Sequence, residues 1–313
     1  MNGRRFAEGP TGYRRSVTVN NQSGAPLHNY QILVQLDTAA LIAGGKMRPD
    51  CGDLRFSDSY GFLSYWIEDG SCNTAQTRVW VKVPHAPAGN SVITLTYGNS
   101  ELSGMSDGRA TFHFFDDFED GVVDASKWDL RAGANAAIAE TGGQMRLSGP
   151  LYPTQPLDTV YFMLQFLNDT VRYPPTFALD TELSILDGER GFTASAGSCP
   201  EIMQLRNAPA HLPASTDIGY VSGGVPYTLG KSSVSGATFE GLRVSVGHAG
   251  ADGARDIYWM ENGDLATPRA VRRSVSSTCR GLYGYRPAAA TPFDVRFDNI
   301  RLRPFAFPEP AVV

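Results

Sequence analysis

The sequence lacks the features that mark two common functional classes. It has no run of Lys or Arg and a formal net charge of −5, so there is no electrostatic basis for binding nucleic acid. No segment approaches the ~18 consecutive apolar residues of a membrane span, and no apolar stretch follows Arg4-Arg5 to form a signal peptide. We expect a soluble chain without membrane insertion, which leaves its cell after removal of a leader or by another route such as lysis.

Familiar catalytic and metal-binding motifs are also missing. The one Gly-x-Ser-x-Gly match, Gly104 to Gly108, does not directly follow a predicted strand as a nucleophile elbow would, and the histidines form no HxH or HExxH pair. They are dispersed as His28, His85, His113, His211 and His248. We therefore expect no transition-metal catalysis, assign no catalytic residue and predict no required cofactor.

Cysteine is scarce, with two residues in each half of the chain. Cys51 and Cys72 lie in the first half, and Cys199 and Cys279 lie in the second. Their spacing matches no CxxC metal site, and pairing within each half is the simplest of the three possible connectivities. The pattern favours two structural disulfides, and hence an oxidising compartment, over the alternative of buried free thiols.

Short, β-branched and aromatic segments separated by Gly, Pro, Asn and Asp are abundant. Such spacing is typical of antiparallel sandwiches. In the first half the predicted strands are 14–19, 30–36, 53–57, 62–67, 77–83 and 91–97, and 38–44 is the one predicted helix. In the second half they are 143–148, 158–167, 177–186, 191–196, 201–206, 239–247, 256–261 and 293–303, while 207–238 reads as loops with a short strand or two.

Two local features refine this prediction. The apolar parity of the last strand shifts between Phe297 and Ile300, which indicates a bulge or kink. The acidic and aromatic stretch Phe114 to Trp128 reads as the seam between two domains, with its phenylalanines closing the first core and its carboxylates opening the second. We therefore predict an all-β protein of two antiparallel, jelly-roll-like sandwiches, at 1–113 and 114–306, with a C-terminal tail at 307–313.

The first half resembles the family called domain of unknown function 2341 over about 100 residues. The matching segments are Tyr13-Arg14-Arg15, Tyr30 to Leu36, Gly45-Lys46-Met47, Asp53 to Phe56, Tyr65 to Glu68, Val79 to Pro84, Tyr97-Gly98-Asn99 and Phe114 to Phe118. The resemblance implies a β-sandwich accessory domain of surface and secreted proteins, without an established activity.

The second half is similar to concanavalin A-like lectin, glucanase and laminin-G-like domains at its two ends. The similar segments are Asp117 to Gly121 with Ser126-Lys127-Trp128, and Phe297 to Arg303. The resemblance implies that the first and last strands of this domain lie side by side. It would bring Asp298 near Asp117 and Glu119, where the oxygens could hold a structural Ca²⁺. In the alternative, these acids cap turns and pair with Arg296, Arg301 or Arg303.

Catalysis by carboxylates has weak support in the sequence. The Glu-x-Asp-x-x-Glu motif of family-16 glucanases is absent. The nearest approach is Asp180 and Glu182 on one strand face, followed by Asp187 and Glu189 in a predicted turn. The alternative is a solvated strand face with a hairpin, so we expect a protein that is not an enzyme.

Carbohydrate recognition normally combines an aromatic face with a few convergent polar groups. The predicted ligand-binding aromatics are Tyr220, Tyr227, Trp259, Tyr283 and Tyr285, of which the last two lie in a segment that reads as a loop. Trp66, Trp80 and Trp128 are predicted to be core residues.

Together these features favour a non-catalytic extracellular, cell-surface or virion protein that binds carbohydrate through the lectin-like domain. Such a protein would serve as an adhesin or as a receptor-binding or decoration protein, with a larger surface or virion assembly as a further expected partner. Two alternatives stay open: a self-assembling structural subunit of a filament or capsid, and a hydrolase or lyase acting on glycans.

Overall fold

The structure is a computed structural model that describes residues 12–132, 136–149, 160–164, 176–187, 192–198, 204–206, 217–222, 225–236, 238–249, 255–274, 281–287 and 292–313. Its strands pair in antiparallel fashion in four sheets. The chain divides into two compact units, Met1–Phe112 with Phe307–Val313, and His113–Ala306. The predicted fold class of two antiparallel β-sandwiches is confirmed.

The first unit combines a five-stranded and a three-stranded sheet. Its elements are β1 (Tyr13–Asn21), β2 (Leu27–Leu36), α1 (Thr38–Ala43), β3 (Arg55–Ser57), β4 (Phe62–Leu63), β5 (Tyr65–Ile67), β6 (Thr77–Ala86), β7 (Gly89–Tyr97) and α2 (Gly108–Thr111). The last strand of the chain, β23 (Ala311–Val312), completes this unit. The strand orders are β23-β1-β7-β3-β4 and β2-β6-β5.

Alternation of apolar and polar residues explains these strands. In β7 the side chains of Ile93, Leu95 and Tyr97 are buried, and the residues between them are half-buried. The predicted helix is confirmed as α1, which begins where the side chain of Asp37 accepts a hydrogen bond from the backbone N–H of Ala40.

The predicted strand 62–67 is in fact two strands. β4 pairs with β3 in the five-stranded sheet, whereas β5 pairs with β6 in the three-stranded sheet. The chain crosses from one layer of the sandwich to the other at Ser64, so one apolar run serves both sheets.

The second unit combines an eight-stranded and a seven-stranded sheet. Its strands are β8 (Phe114–Asp116), β9 (Trp128–Arg131), β10 (Ala137–Glu140), β11 (Met145–Gly149), β12 (Val160–Leu164), β13 (Phe177–Asp187), β14 (Phe192–Ser198), β15 (Gln204–Arg206), β16 (Asp217–Ser222), β17 (Val225–Lys231), β18 (Phe239–Ala249), β19 (Arg255–Glu261), β20 (Ala270–Ser274), β21 (Gly281–Pro287) and β22 (Phe293–Pro304). The orders are β10-β11-β22-β13-β18-β19-β20, with β8 also on β22, and β17-β16-β15-β14-β21-β12-β9.

The last strand of this unit contains the predicted irregularity. The pairing of β13 with β22 passes from Asp180↔Arg301 to Glu182↔Asp298, so β22 carries one extra residue there. Asn299 takes a left-handed backbone conformation, with φ of 50°, at this point. The bulge returns the apolar side chains of Ile300 and Leu302 to the buried face.

The seam differs from its prediction in one respect. Phe114 and Phe118 contact Trp128, with ring centroids 5.5 and 5.9 Å away, and therefore belong to the second core. The first core is closed instead by Phe112, whose ring meets Trp66 and Trp80 edge-on. β8 pairs with β22, so the first and last strands of the second unit lie side by side as the resemblance implies.

Candidate functional site

Trp259 is not a ligand-binding residue, and this part of the prediction is wrong. Its side chain has 0% exposure and is part of the second core. The indole Nε1 donates a hydrogen bond to Oε1 of Glu261 at 2.9 Å, so its polar atom is also satisfied internally. Trp66, Trp80 and Trp128 are buried, as predicted.

Tyr283 and Tyr285 lie in a strand rather than in the loop that the sequence indicated. β21 is paired on both sides, with β14 and with β12. By register, Tyr285 pairs with Ala194 on one side and with Val160 on the other. The tyrosine side chains themselves lie outside the described residues.

Tyr227 is the one predicted aromatic with a described, accessible side chain. It lies in the edge strand β17, opposite Tyr220, and is 44% exposed. The side chain of Tyr220 lies outside the described residues. Tyr227 therefore stays a candidate for ligand contact in the second unit.

The second predicted disulfide also falls outside the described residues, because Cys199 and Cys279 do. The first is formed: Cys51 and Cys72 are joined, with their Cα atoms 6.1 Å apart.

The predicted calcium ligands do not form a described cluster. Glu119 is exposed, and its Oε1 is 2.5 Å from the position that a Cβ on Gly143 would take. Asp298 is half-buried and accepts a hydrogen bond from the backbone N–H of Asn299 at 2.6 Å. Among the described residues, no group of three or more His, Cys, Asp or Glu side chains could hold a metal ion. Calcium binding by Asp117, Glu119 and Asp298 stays a prediction.

Asp180, the nearest approach to a catalytic carboxylate, is a buried structural anion. It accepts hydrogen bonds from Nε of Arg301 at 3.2 Å, from Nε of Arg303 at 2.7 Å and from the hydroxyl of Ser245. Burial opposes its ionisation, but the two guanidinium groups outweigh burial and lower its pKa. Its predicted neighbour Glu182 lies 3.8 Å from Arg243. A general acid needs a raised pKa and access to substrate, and Asp180 has neither.

A more exposed site, which the sequence reading missed, lies on the hairpin between β3 and β4. Tyr60 is 90% exposed and Phe62 is 51% exposed. The turn is fixed by Asp58, whose carboxylate accepts hydrogen bonds from the backbone N–H groups of Tyr60 and Gly61. Two aromatic rings are thus presented to solvent by a turn that is held at its base.

Polar side chains continue this surface across the five-stranded sheet. Cross-strand pairing aligns Phe62 with Ser57, Ser57 with Thr94, and Thr94 with Ser16. The guanidinium of Arg14 reaches Oγ1 of Thr94 at 3.4 Å. We call Arg14, Ser57, Tyr60, Phe62 and Thr94 the hairpin surface. It combines aromatic rings with hydroxyl and guanidinium groups, as a site for a polar ligand with an apolar face requires.

One signal in the sequence could have located this surface. Asp58 is followed three residues later by Gly61, an arrangement typical of a tight turn, and aromatic residues occupy the turn and the position after it. Strands of three and two residues are too short for alternation to show which face is exposed.

Comparison with known proteins gives one family match. The model of the family described as "Domain of unknown function (DUF2341)" matches residues 50–131, well under half of the chain. The match starts inside the first unit and runs past its boundary to the end of β9. No curated protein matches the chain.

Solved structures show only distant similarity. A variant of the GH43 protein BlXynB from Bacillus licheniformis matches with a TM-score of 0.45 and 12% identity. The match covers 80% of this chain and 52% of the BlXynB chain. The laminarinase catalytic domain from Thermotoga petrophila has a TM-score of 0.41 and 12% identity, covering 61% and 96%. The alginate lyase from Klebsiella pneumoniae has a TM-score of 0.37 and 11% identity, covering 56% and 86%. This chain thus spans about half the length of the GH43 protein.

Proposed function

We propose that this chain is a non-catalytic carbohydrate-binding protein of an extracellular, cell-surface or virion setting. The observation that carries the proposal is the hairpin surface, with its exposed Tyr60 and Phe62 beside hydroxyl and guanidinium groups. The sequence alone pointed to the second unit as the binding domain. The primary contact is now proposed in the first unit, and Tyr227 remains the candidate in the second.

The chemistry of the hairpin surface fits a sugar better than a purely apolar ligand. One face of a sugar ring presents C–H groups that can stack on an aromatic ring, while its hydroxyls need hydrogen-bond partners. Phe62 supplies a ring, and Ser57 and Thr94 supply hydroxyls in the same cross-strand row. Because the groups lie on paired strands and a fixed turn, little conformational entropy is lost on binding.

The non-catalytic part of the proposal rests on the state of Asp180. Most glycoside hydrolases use two carboxylates that flank the scissile bond. Asp180 is 2% exposed and paired with two arginines, so it cannot reach a glycan chain or act as an acid.

The proposed location rests on the disulfide of Cys51 and Cys72. Disulfides persist in oxidising compartments and are rare in the cytosol. No helix of the described residues is long and apolar enough to cross a membrane.

A glycan array and a reducing-sugar assay on the same preparation test the proposal. We expect binding to at least one glycan class and no release of reducing ends. Full burial of an aromatic ring contributes about 2 kcal/mol, and a sugar that stacks on one face of Phe62 or Tyr60 buries about half of that ring. Each change to Ala should therefore weaken binding about fivefold.

Val92→Ala is the matched control, because Val92 is an apolar side chain on the same sheet with 58% exposure. It should leave affinity unchanged. Loss of binding with Tyr227→Ala but not with Tyr60→Ala would move the site back to the second unit. Turnover of the bound glycan would refute the non-catalytic proposal. If the protein shows no binding and no turnover, the result favours a structural subunit.

A structural Ca²⁺ held by Asp117, Glu119 and Asp298 is part of the proposal and has its own test. Oδ1 of Asn299, the residue after Asp298, supports it, because this atom is buried and has no hydrogen-bond partner within the described part of the chain. Calorimetry with Ca²⁺ after treatment with a chelator should show binding and a higher melting temperature. Absence of both effects would leave these acids as turn and ion-pair residues.

A further inference from the structure

Two histidines face each other across the three-stranded sheet of the first unit. His28 of β2 lies directly opposite His85 of β6, and both side chains are exposed. Their Nδ1 atoms are 3.5 Å apart, and the ring centroids are 4.9 Å apart at an interplanar angle of 41°. The pair lies 57 residues apart in sequence, which is why no spacing motif revealed it.

The backbone around the pair is irregular. The register passes from His28↔His85 to Tyr30↔Val83 without pairing Asn29 to Pro84. Pro84 has no N–H to donate to the ladder, and Asn29 takes a left-handed conformation with φ of 49°. The interruption lies between the exposed histidines and the buried Tyr30.

The distance between the two nitrogens decides what the pair can do. A hydrogen bond from a ring N–H usually spans about 2.9 to 3.0 Å, so 3.5 Å is long for one. Two nitrogens that each lie about 2.1 Å from a tetrahedral zinc ion are about 3.4 Å apart. The observed spacing thus fits a metal between the rings better than a proton between them.

We propose that His28 and His85 form a chelating site for a divalent first-row transition cation such as Zn²⁺. The site goes beyond carbohydrate binding and shares no residue with the hairpin surface. The two imidazole rings supply two ligands, and the described residues contain no cluster of three or more ligating side chains. Water, or the same pair from a second molecule, completes the tetrahedron. Imidazole nitrogen selects Cu²⁺, Ni²⁺ and Zn²⁺ over Ca²⁺ and Mg²⁺, which prefer oxygen.

Isothermal titration of the untagged full chain with ZnCl₂ tests the site. We expect saturable binding of one Zn²⁺ per chain, or of one per two chains together with a dimer in light scattering. Cu²⁺ should bind more tightly than Zn²⁺, in the order of intrinsic metal affinities, and Mg²⁺ should not bind. His28→Gln and His85→Gln should each lower the affinity for Zn²⁺ at least about tenfold, a loss that even an outer-sphere partner can cause.

His113→Gln is the matched control, because His113 is an exposed histidine that belongs to the second unit. It should bind Zn²⁺ like the unchanged chain. Melting curves in chelator should coincide for all variants, since both paired histidines are on the surface. Equal Zn²⁺ affinity in the His28→Gln, His85→Gln and unchanged proteins, or no binding at all, would overturn the proposal.

Discussion

Asp180→Asn should be among the most destabilising single changes in the second unit. Asp180 is 2% exposed, Arg301 is 6% exposed and Arg303 is fully buried. Asp180→Asn removes an anion that both buried arginines contact, and breaking a buried ion pair from one side costs about 3 to 5 kcal/mol. For a unit of this size, that loss lowers the melting temperature by about 10 °C.

The effect has a defined pH dependence. The folded-state pKa of Asp180 is below its ordinary value, because the arginines outweigh burial. Because this pKa is lower in the folded state than in the unfolded state, ionised Asp180 stabilises the fold at pH values above the unfolded-state pKa, near about 3.9. This stabilisation is lost as the pH falls through the folded-state pKa. The difference between Asp180→Asn and the unchanged protein should therefore be complete near neutral pH and shrink in strong acid.

Differential scanning calorimetry is the assay, with Asp294→Asn as the control. Asp294 also pairs with two arginines, Arg146 and Arg296, but their side chains are 40% and 33% exposed, so we expect a loss below about 1 kcal/mol. Equal shifts for the two variants would refute the reasoning. Replacing Asp180, Arg301 and Arg303 together by Leu, Met and Met should recover most of the loss, since apolar replacements of a buried ion cluster are often tolerated.

Three further changes follow from the described contacts. The double change Cys51→Ser and Cys72→Ser should lower the free energy of unfolding of the first unit in urea by about 3 kcal/mol, the entropic value for a separation of 21 residues. The unchanged protein under reducing conditions should show the same loss. Trp259→Ala should cost about 3 to 5 kcal/mol as a core truncation without altering glycan affinity of the folded protein. Glu140→Gln should raise the melting temperature near neutral pH, but not below about pH 4. The pKa of Glu140 is raised, first by burial and then by Asp120, so its ionisation opposes folding.

Sequence alternation recovered the strands whose two faces differ. β7 and β13 lie where the pattern placed them, and the parity shift in the last strand marked the bulge at Asn299. The helix α1 is visible in the sequence as the largely apolar run 38–44, which is about two turns long. In each case the signal is local, because one residue type at one spacing determines which side is buried.

The failures have physical reasons too. The sequence of β21 predicts a loop because Gly281 and Gly284 weaken the strand signal, although pairing with a strand on each side holds the segment in the sheet. The prediction of Trp259 as a ligand-binding residue is wrong, although alternation places it on the face of the buried Ile257. The hydrogen bond to Glu261, which lets an indole lie in the core, could not be read from composition. The pairing of His28 with His85 depends on a long-range register that no local pattern contains.

The two units are related by insertion rather than by simple succession. The first unit consists of Met1–Phe112 together with Phe307–Val313, and β23 from its C-terminal part pairs with β1. Tyr30 donates a hydrogen bond to Glu309 inside this unit, so residues 307–313, predicted as a tail, are part of its fold. The second unit can begin and end within one loop of the first because β8 and β22 are neighbours, with the N–H of His113 bonded to the carbonyl of Leu302 at 3.0 Å. Insertion is tolerated where the ends of the inserted domain are close together. The acidic and aromatic seam after Phe112 thus marks the point where the chain leaves the first sandwich, and the antiparallel pairing of β8 with β22 brings the chain back to it.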